Sequence, residues 1–343
     1  MLNQSLELNR VIDGVVRGRS LNTEESSRAM DMIMSGKATD AQIASLLTAL
    51  RMKGETVEEI TGFARVMRDK VTPVKVNRPG LVDTCGTGGD QAGTFNISTT
   101  AAFVAAGAGL PVAKHGNRSI SSRCGSADVL EALGINLELS PQQVARCIEE
   151  VGIGFLFAPN LHLAMKYAIG PRREIGIRTV FNLLGPLTNP AGAKRQVMGV
   201  YDPALTDMLA EVLLNLGSEH AMVVHGLEGI DEISVCSPTR ISEVKEGKVL
   251  TYQICPEELG LVRGKVEQMQ GGTPRENAEI TLSIMQGEKS SRRDVVVLNA
   301  AAVLGAGGLV EDFSEGIKLA ETVLDSGSAY TKLEELREFC EKI

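Results

Sequence analysis

Leu81-Val82-Asp83-Thr84-Cys85-Gly86-Thr87-Gly88-Gly89-Asp90, residues 81–90, runs from a short apolar segment into a glycine-dense turn. Asn96-Ile97-Ser98-Thr99-Thr100 then opens a stretch of small apolar residues. The order reads as strand, loop, helix N-terminus. Free amides and the positive end of a helix dipole meet at such a junction, which suits an anion. Neither the dinucleotide fingerprint nor the P-loop fits, because Gln91 stands at the third glycine position and no Gly-Lys-Ser/Thr follows. A tight strand–helix turn capped by Asn, Ser or Thr would read the same way. This segment alone leaves both readings open.

The next unit shifts the balance. Leu110–Ala113 reads as a strand, and Lys114-His115-Gly116-Asn117-Arg118-Ser119-Ile120-Ser121-Ser122-Arg123 follows it before Gly125-Ser126-Ala127-Asp128 starts another helix. Cations, hydroxyls and an amide crowd one loop. If the two strands are neighbours, both loops meet at the carboxyl ends of the sheet, where open α/β folds bind ligands. A third strand end, Val223-Val224-His225-Gly226, leads into Gly229-Ile230-Asp231-Glu232-Ile233-Ser234. Alone, an Asp-Glu pair is usually a solvated turn. Beside two phosphate-type loops it suits Mg²⁺, which takes one or two carboxylates together with waters and substrate phosphates.

Working outward, residues 1 to about 70 read as helices only. Thr39 with Gln42 and Thr56 with Glu59 form capping boxes. Ile43, Leu46, Leu47 and Leu50 recur at helical spacing, as do Ile60, Phe63, Ala64 and Met67. Pro73 and Pro79 mark a linker without helical period. Beyond it, apolar runs at 81–83, 110–113, 153–157, 197–201 and 221–225 alternate mostly with helical patterns, which implies βαβ units and a mostly parallel sheet. Residues 235–254, with Glu246-Gly247 at their middle, read as an antiparallel hairpin at an edge. The last 70 residues read as helices, one of them near Val296–Gly305. The expected fold class is α/β, with a small N-terminal helical domain at 1–72, a hinge at 73–80 and a larger α/β domain at 81–343. Helices near 162–185 are expected to complete the helical domain.

Composition sets limits on function. The chain has 343 residues and 36 glycines, roughly 10% against a usual 7%, and ten of those glycines lie between Gly80 and Gly134. With 8 Phe, 4 Tyr and no Trp, a base-stacking nucleic-acid module is disfavoured. A net charge of −8 argues against nucleic-acid and anionic-membrane binding. Six scattered cysteines without a CxxC pair suit a reducing compartment, and the start lacks signal-peptide features, so the expected location is the cytoplasm.

Five stretches together resemble the anthranilate phosphoribosyltransferases of tryptophan biosynthesis: DTCGTGGD at 83–90, NIST at 96–99, KHGNRSISSRCGSADVLEALG at 114–134, RTVFNLLGPLTNPA at 178–191 and VVHGLEGIDEIS at 223–234. They stand in family order, and the likeness spans the chain. It implies a fold like that of the nucleoside phosphorylases, and transfer of the phosphoribosyl group of phosphoribosyl pyrophosphate (PRPP) to the amino group of anthranilate. It also implies Mg²⁺ as cofactor, pyrophosphate as leaving group and a homodimer joined through the helical domain. By the resemblance, Gly86, Gly89, Asp90, Thr94, Asn96, Ile97, Ser98 and Thr99 contact PRPP, as do Lys114, His115, Gly116, Asn117, Arg118, Ser119, Ile120, Ser121, Ser122 and Ser126. Gly86, Asn117 and Arg172 are the implied anthranilate contacts, and Ser98, Asp231 and Glu232 the metal positions. Spacing alone does not separate Arg172 from Arg173. One position departs from the family, which usually has proline after the histidine at 162; here it is Leu163.

The chemistry agrees with these residue types. Displacement at an anomeric carbon builds oxocarbenium-like charge on the sugar. A neutral arylamine already presents its lone pair, so positioning and stabilisation of the leaving group should carry the rate. No Ser-His-Asp or Cys-His arrangement is apparent. His115 is the one histidine within a motif loop, either as proton acceptor or as a hydrogen-bonding support for that loop. Two rival readings are a pyrimidine-nucleoside phosphorylase and a non-enzymatic, nucleic-acid-binding relative.

Overall fold

A seven-stranded sheet forms the centre of the computed structural model, which describes residues 2–119 and 123–343. The strands are β1 (Val82–Gly86), β2 (Val112–Gly116), β3 (Ile153–Phe157), β4 (Arg195–Gly199), β5 (His220–Gly226), β6 (Thr239–Lys245) and β7 (Lys248–Ile254). Their spatial order is β3-β2-β1-β4-β5-β6-β7. Strands β1 to β5 run parallel, and β6 and β7 add an antiparallel edge. Each of the five apolar runs contributes to a strand. The hairpin turns at Glu246 and Gly247, both with positive φ (52° and 74°), as a two-residue turn matched to strand twist requires.

Topology fixes where a ligand can sit. β1, β2 and β3 step outward on one side, and the chain then returns to place β4 on the other side of β1. The order reverses at β1, so the loop after β1 lies at the switch point, with the loops after β2 and β4 beside it. Successive side chains face opposite layers: Val197 joins the core beneath the helix Ser291–Gly307, whereas Met198 joins the core shared with the N-terminal helices.

Those helices are α1 (Leu2–Val16), α2 (Thr23–Met34), α3 (Asp40–Lys53) and α4 (Val57–Lys70). Both expected capping boxes form, and Asn22 with Glu25 makes another at the start of α2. The helices Lys166–Ile175 and Phe181–Leu184 pack against this group, and residues 71–80 carry neither helix nor strand. Thr72 N–H donates to Leu161 O at 2.8 Å and Val74 N–H to Pro190 O at 3.0 Å. One apolar core, including Leu46, Phe63, Phe181 and Val223, runs from the bundle to the sheet. On the opposite face, α5 (Ile97–Gly107) and the helix Ser291–Gly307 cover the strands. Among the described residues no helix is long and apolar enough to cross a membrane.

Glu59 ties the bundle together. Its fully buried carboxylate accepts from Thr56 N–H and Leu21 N–H at 2.9 Å each, and pairs with Lys53 Nζ at 3.0 Å. Removing one partner of such a group strands the others, at about 3–5 kcal/mol. Glu59→Ala is therefore expected to lower the stability of the folded chain by about 3 kcal/mol, read from urea unfolding followed by circular dichroism. A change below about 1 kcal/mol would show that the carboxylate behaves as an exposed one.

Candidate active site

Two central strands part beneath the loops. β1 and β2 share one ladder position, Val82 with Val112, whereas β1 meets β4 along five. Side chains answer the backbone groups that the parting frees. Asp83, fully buried in β1, accepts His115 N–H at 3.1 Å on one oxygen and Asn189 Nδ2 at 2.8 Å on the other. Asn189 Nδ2 also donates to Ala113 O at 2.8 Å, and Lys114 Nζ donates to Thr84 O at 2.6 Å. Burial pushes the Asp83 carboxyl above its ordinary range, against the pull of Asn189, Lys114 and the His115 amide. Burial likewise pulls the Lys114 ammonium down, and the Asp83 charge opposes it.

The glycine loop closes around a carboxylate from the segment after β5. Gly88 N–H donates to Asp231 Oδ2 at 2.8 Å, and Asp231 N–H donates to Asp90 Oδ2 at 3.4 Å. A side chain at Gly86 would collide with the Asp231 carboxylate, and one at Gly199 with the Asp231 backbone. These glycines are therefore required for the close approach of Asp231. Glu232 reaches the start of α5, where Ser98 N–H donates to its Oε1 at 3.1 Å. Burial, and then the charges of Asp90 and Glu232, push Asp231 well above the ordinary carboxylate range, whereas burial pushes Glu232 up to about 7 against the pull of Lys114 and the Ser98 amide. Half-buried carboxylates gathered in this way fit a hard divalent cation. Among the described residues no group of three acidic, His or Cys side chains is placed to hold a metal ion by itself.

Other implied residues are arranged as follows. Thr94 bridges to Gln270, and Ile97 is buried in the core. The Asn96 side chain does not cap α5 but accepts from Asn277 Nδ2 at 2.9 Å. Thr87 and Thr99 carry buried hydroxyls without a partner among the described residues. After Gly116, the end of β2, Asn117 O accepts Ala127 N–H at 3.1 Å and Ser126 Oγ at 3.2 Å. Ser119 N–H donates to Asp128 Oδ2 at 3.0 Å, fixing the loop to the start of α6 (Ser126–Ala132). The Arg118 guanidinium is engaged by Glu131 at 2.5 Å and Asp128 at 3.2 Å. Ile120, Ser121 and Ser122 lie outside the described residues. Arg172 stacks on Phe181, 5.0 Å from the ring centroid, and no ion pair links it to the loops among the described residues. Leu163, at the family's proline position, is exposed in a short turn, Leu163–Met165.

His115 meets a partner that the spacing gave no sign of. Its Nε2 lies 3.1 Å from His162 Nε2, and its ring also bonds the Gly185 backbone. Burial, reinforced by His162, lowers His115 to about 3, and burial lowers His162 to about 4. Both rings are neutral at pH 7.

Against this geometry, comparison with known proteins is decisive. Two family models match: the helical bundle domain of a glycosyl transferase family over residues 9–71, and its α/β domain over residues 78–330. The anthranilate phosphoribosyltransferase of Pelotomaculum thermopropionicum is 60% identical over 332 residues, covering 97% of this chain and 96% of that one. The chain belongs to the anthranilate phosphoribosyltransferase family. Family structures overlay it closely. The enzyme of Thermus thermophilus matches at TM-score 0.92 and 46% identity, over 96% of this chain and 99% of that one. The family member from Saccharomyces cerevisiae in complex with PRPP and Mg matches at TM-score 0.89 and 28% identity, over 98% of each.

The neutral histidine pair has a pH consequence. In the unfolded chain both rings titrate near 6.5; in the folded protein they resist protonation until pH about 4 for His162 and about 3 for His115. Between these values the unfolded state binds more protons, so this contribution is complete above about pH 6.5 and stability falls as pH drops. The melting temperature is expected to fall from pH 7 to pH 5, and less steeply in His162→Gln. Equal slopes in both proteins would contradict the assignment.

Proposed function

We infer that this chain transfers the phosphoribosyl group of PRPP to the amino group of anthranilate, giving N-(5-phosphoribosyl)anthranilate and pyrophosphate in tryptophan biosynthesis. The observation that carries the reading is the Asp231 carboxylate seated on Gly88 N–H. It brings the acidic pair that follows β5 into the phosphate-type loop of β1, at the sheet's switch point.

Roles follow residue by residue. Gly86, Gly89, Asp90, Thr94, Asn96, Ile97, Ser98 and Thr99 take PRPP together with Lys114 to Ser122 and Ser126. Within that set, the Lys114 side chain is held by Thr84 O and the Arg118 side chain by Glu131. Ser98, Asp231 and Glu232 hold Mg²⁺, which when bound neutralises charge on the departing pyrophosphate. Gly86, Asn117 and Arg172 receive anthranilate, whose carboxylate suits the planar fork of Arg172. The arylamine lone pair needs no strong base, and we place His115 as the support of its loop through His162 and Gly185. The hinge belongs at 73–80, between the helical unit and the sheet. A homodimer joined through the helical unit is the assembly that the family resemblance implies. A net charge of −8 supports small molecules rather than nucleic acid as partners.

Mixing the chain with PRPP, Mg²⁺ and anthranilate is expected to quench anthranilate fluorescence over time, and only when all three are present. Folded protein that leaves the fluorescence unchanged would overturn the reading.

A further inference from the structure

Arg178 follows the helix Lys166–Ile175 and precedes Phe181–Leu184. The Arg178 guanidinium carbon stands 4.4 Å from the centroid of the Tyr201 ring, two residues beyond β4. The same guanidinium packs on the glycine loop: a β-carbon at Gly89 would lie 3.3 Å from Arg178 Cζ and 3.4 Å from its Nε. Gly89 has φ +79°, so the loop accommodates the cation with a residue suited to that backbone. Among the described residues Arg178 has no ion pair, although acidic Asp90 follows Gly89 in the chain. A guanidinium stacked on a ring by its face keeps its N–H groups at the rim. Five donors then stand beside a loop of backbone amides with no carboxylate to receive them.

We propose that Arg178 is a binding residue for the pyrophosphate portion of PRPP, a contact that rests on the PRPP reading of the loop. The choice of this portion follows from Asp231. That carboxylate, which the reading assigns to the metal, sits on Gly88 N–H, so the leaving group and its cation share the Gly86–Asp90 loop that Arg178 covers. Two cations of the second loop act elsewhere: Lys114 is bonded to Thr84 O beneath the strands, and Arg118 is paired with Glu131 and Asp128. Arg178 supplies positive charge from a third segment, with a planar fork that matches two phosphate oxygens. Tyr201 holds the fork in place before the ligand arrives, which reduces the ordering that binding requires.

Arg178→Gln and Arg178→Lys test this, with wild-type turnover as the control for the underlying reading. Calorimetric titration with magnesium pyrophosphate is expected to show affinity falling roughly 10- to 100-fold in Arg178→Gln, the range for a lost hydrogen bond to a charged group. The KM for PRPP should rise in step, while the KM for anthranilate stays within about twofold and the melting temperature holds. Arg178→Lys should recover only part of the loss, because it keeps the charge without the fork. Tyr201→Leu should raise the PRPP KM by a smaller factor, through loss of the stack. A wild type that turns over while Arg178→Gln binds pyrophosphate unchanged overturns the inference and leaves the function standing. A rise in the anthranilate KM alone would move Arg178 to the acceptor site and overturn it equally.

Discussion

Asp83 is a carboxylate with no exposure to water, in the first strand of a sheet that must present two loops to one ligand. Burying such a group uncompensated is prohibitive, so the surroundings must answer it. They do so with groups from two segments: the His115 amide and the Lys114 charge of β2, and the Asn189 side chain from the approach to β4. Each bond also fixes something else. The His115 amide bond sets β2 relative to β1 where ladder pairing has stopped. Asn189 spans the opening between them by donating to Ala113 O as well. The relative position of the two phosphate-type loops is therefore a consequence of satisfying one buried charge.

Crowding around Asp231 makes a second constraint of the same kind. Gly86 and Gly199 lack side chains where the Asp231 carboxylate and backbone pass, so β1, β4 and the segment after β5 lock together at the switch point. The acidic pair is consequently held at the glycine loop and at the α5 start in advance of any ligand. Burial, with the nearby Asp90 charge, keeps both carboxyls above their ordinary range, an unfavourable condition that a divalent cation relieves. Catalysis by positioning requires such a prepared site, and the helical bundle contributes by continuing its apolar core into the sheet.

What the sequence made legible was local. Apolar runs contributed to the strands, capping boxes placed the starts of α3 and α4, and Glu246-Gly247 marked the hairpin because its chemistry is contained in a few neighbouring residues. Three loops at strand ends were readable for the same reason. Contacts across long separations were not. Nothing in the spacing ties His115 to His162, Asp83 to Asn189, or Gly89 to Arg178. Nor does the spacing show that Glu131 and Asp128 pair with Arg118. A signal for Asp83 did exist, since a charged residue within an apolar strand must find partners. Which partners it finds is decided by the tertiary fold.

Anomalous diffraction from crystals grown with PRPP and Mn²⁺ in place of Mg²⁺ tests the account most directly. It predicts a manganese peak beside Ser98, Asp231 and Glu232, with the pyrophosphate of PRPP lying along Gly86 to Asp90. Bound PRPP with its manganese peak away from the Asp231–Glu232 pair would contradict it.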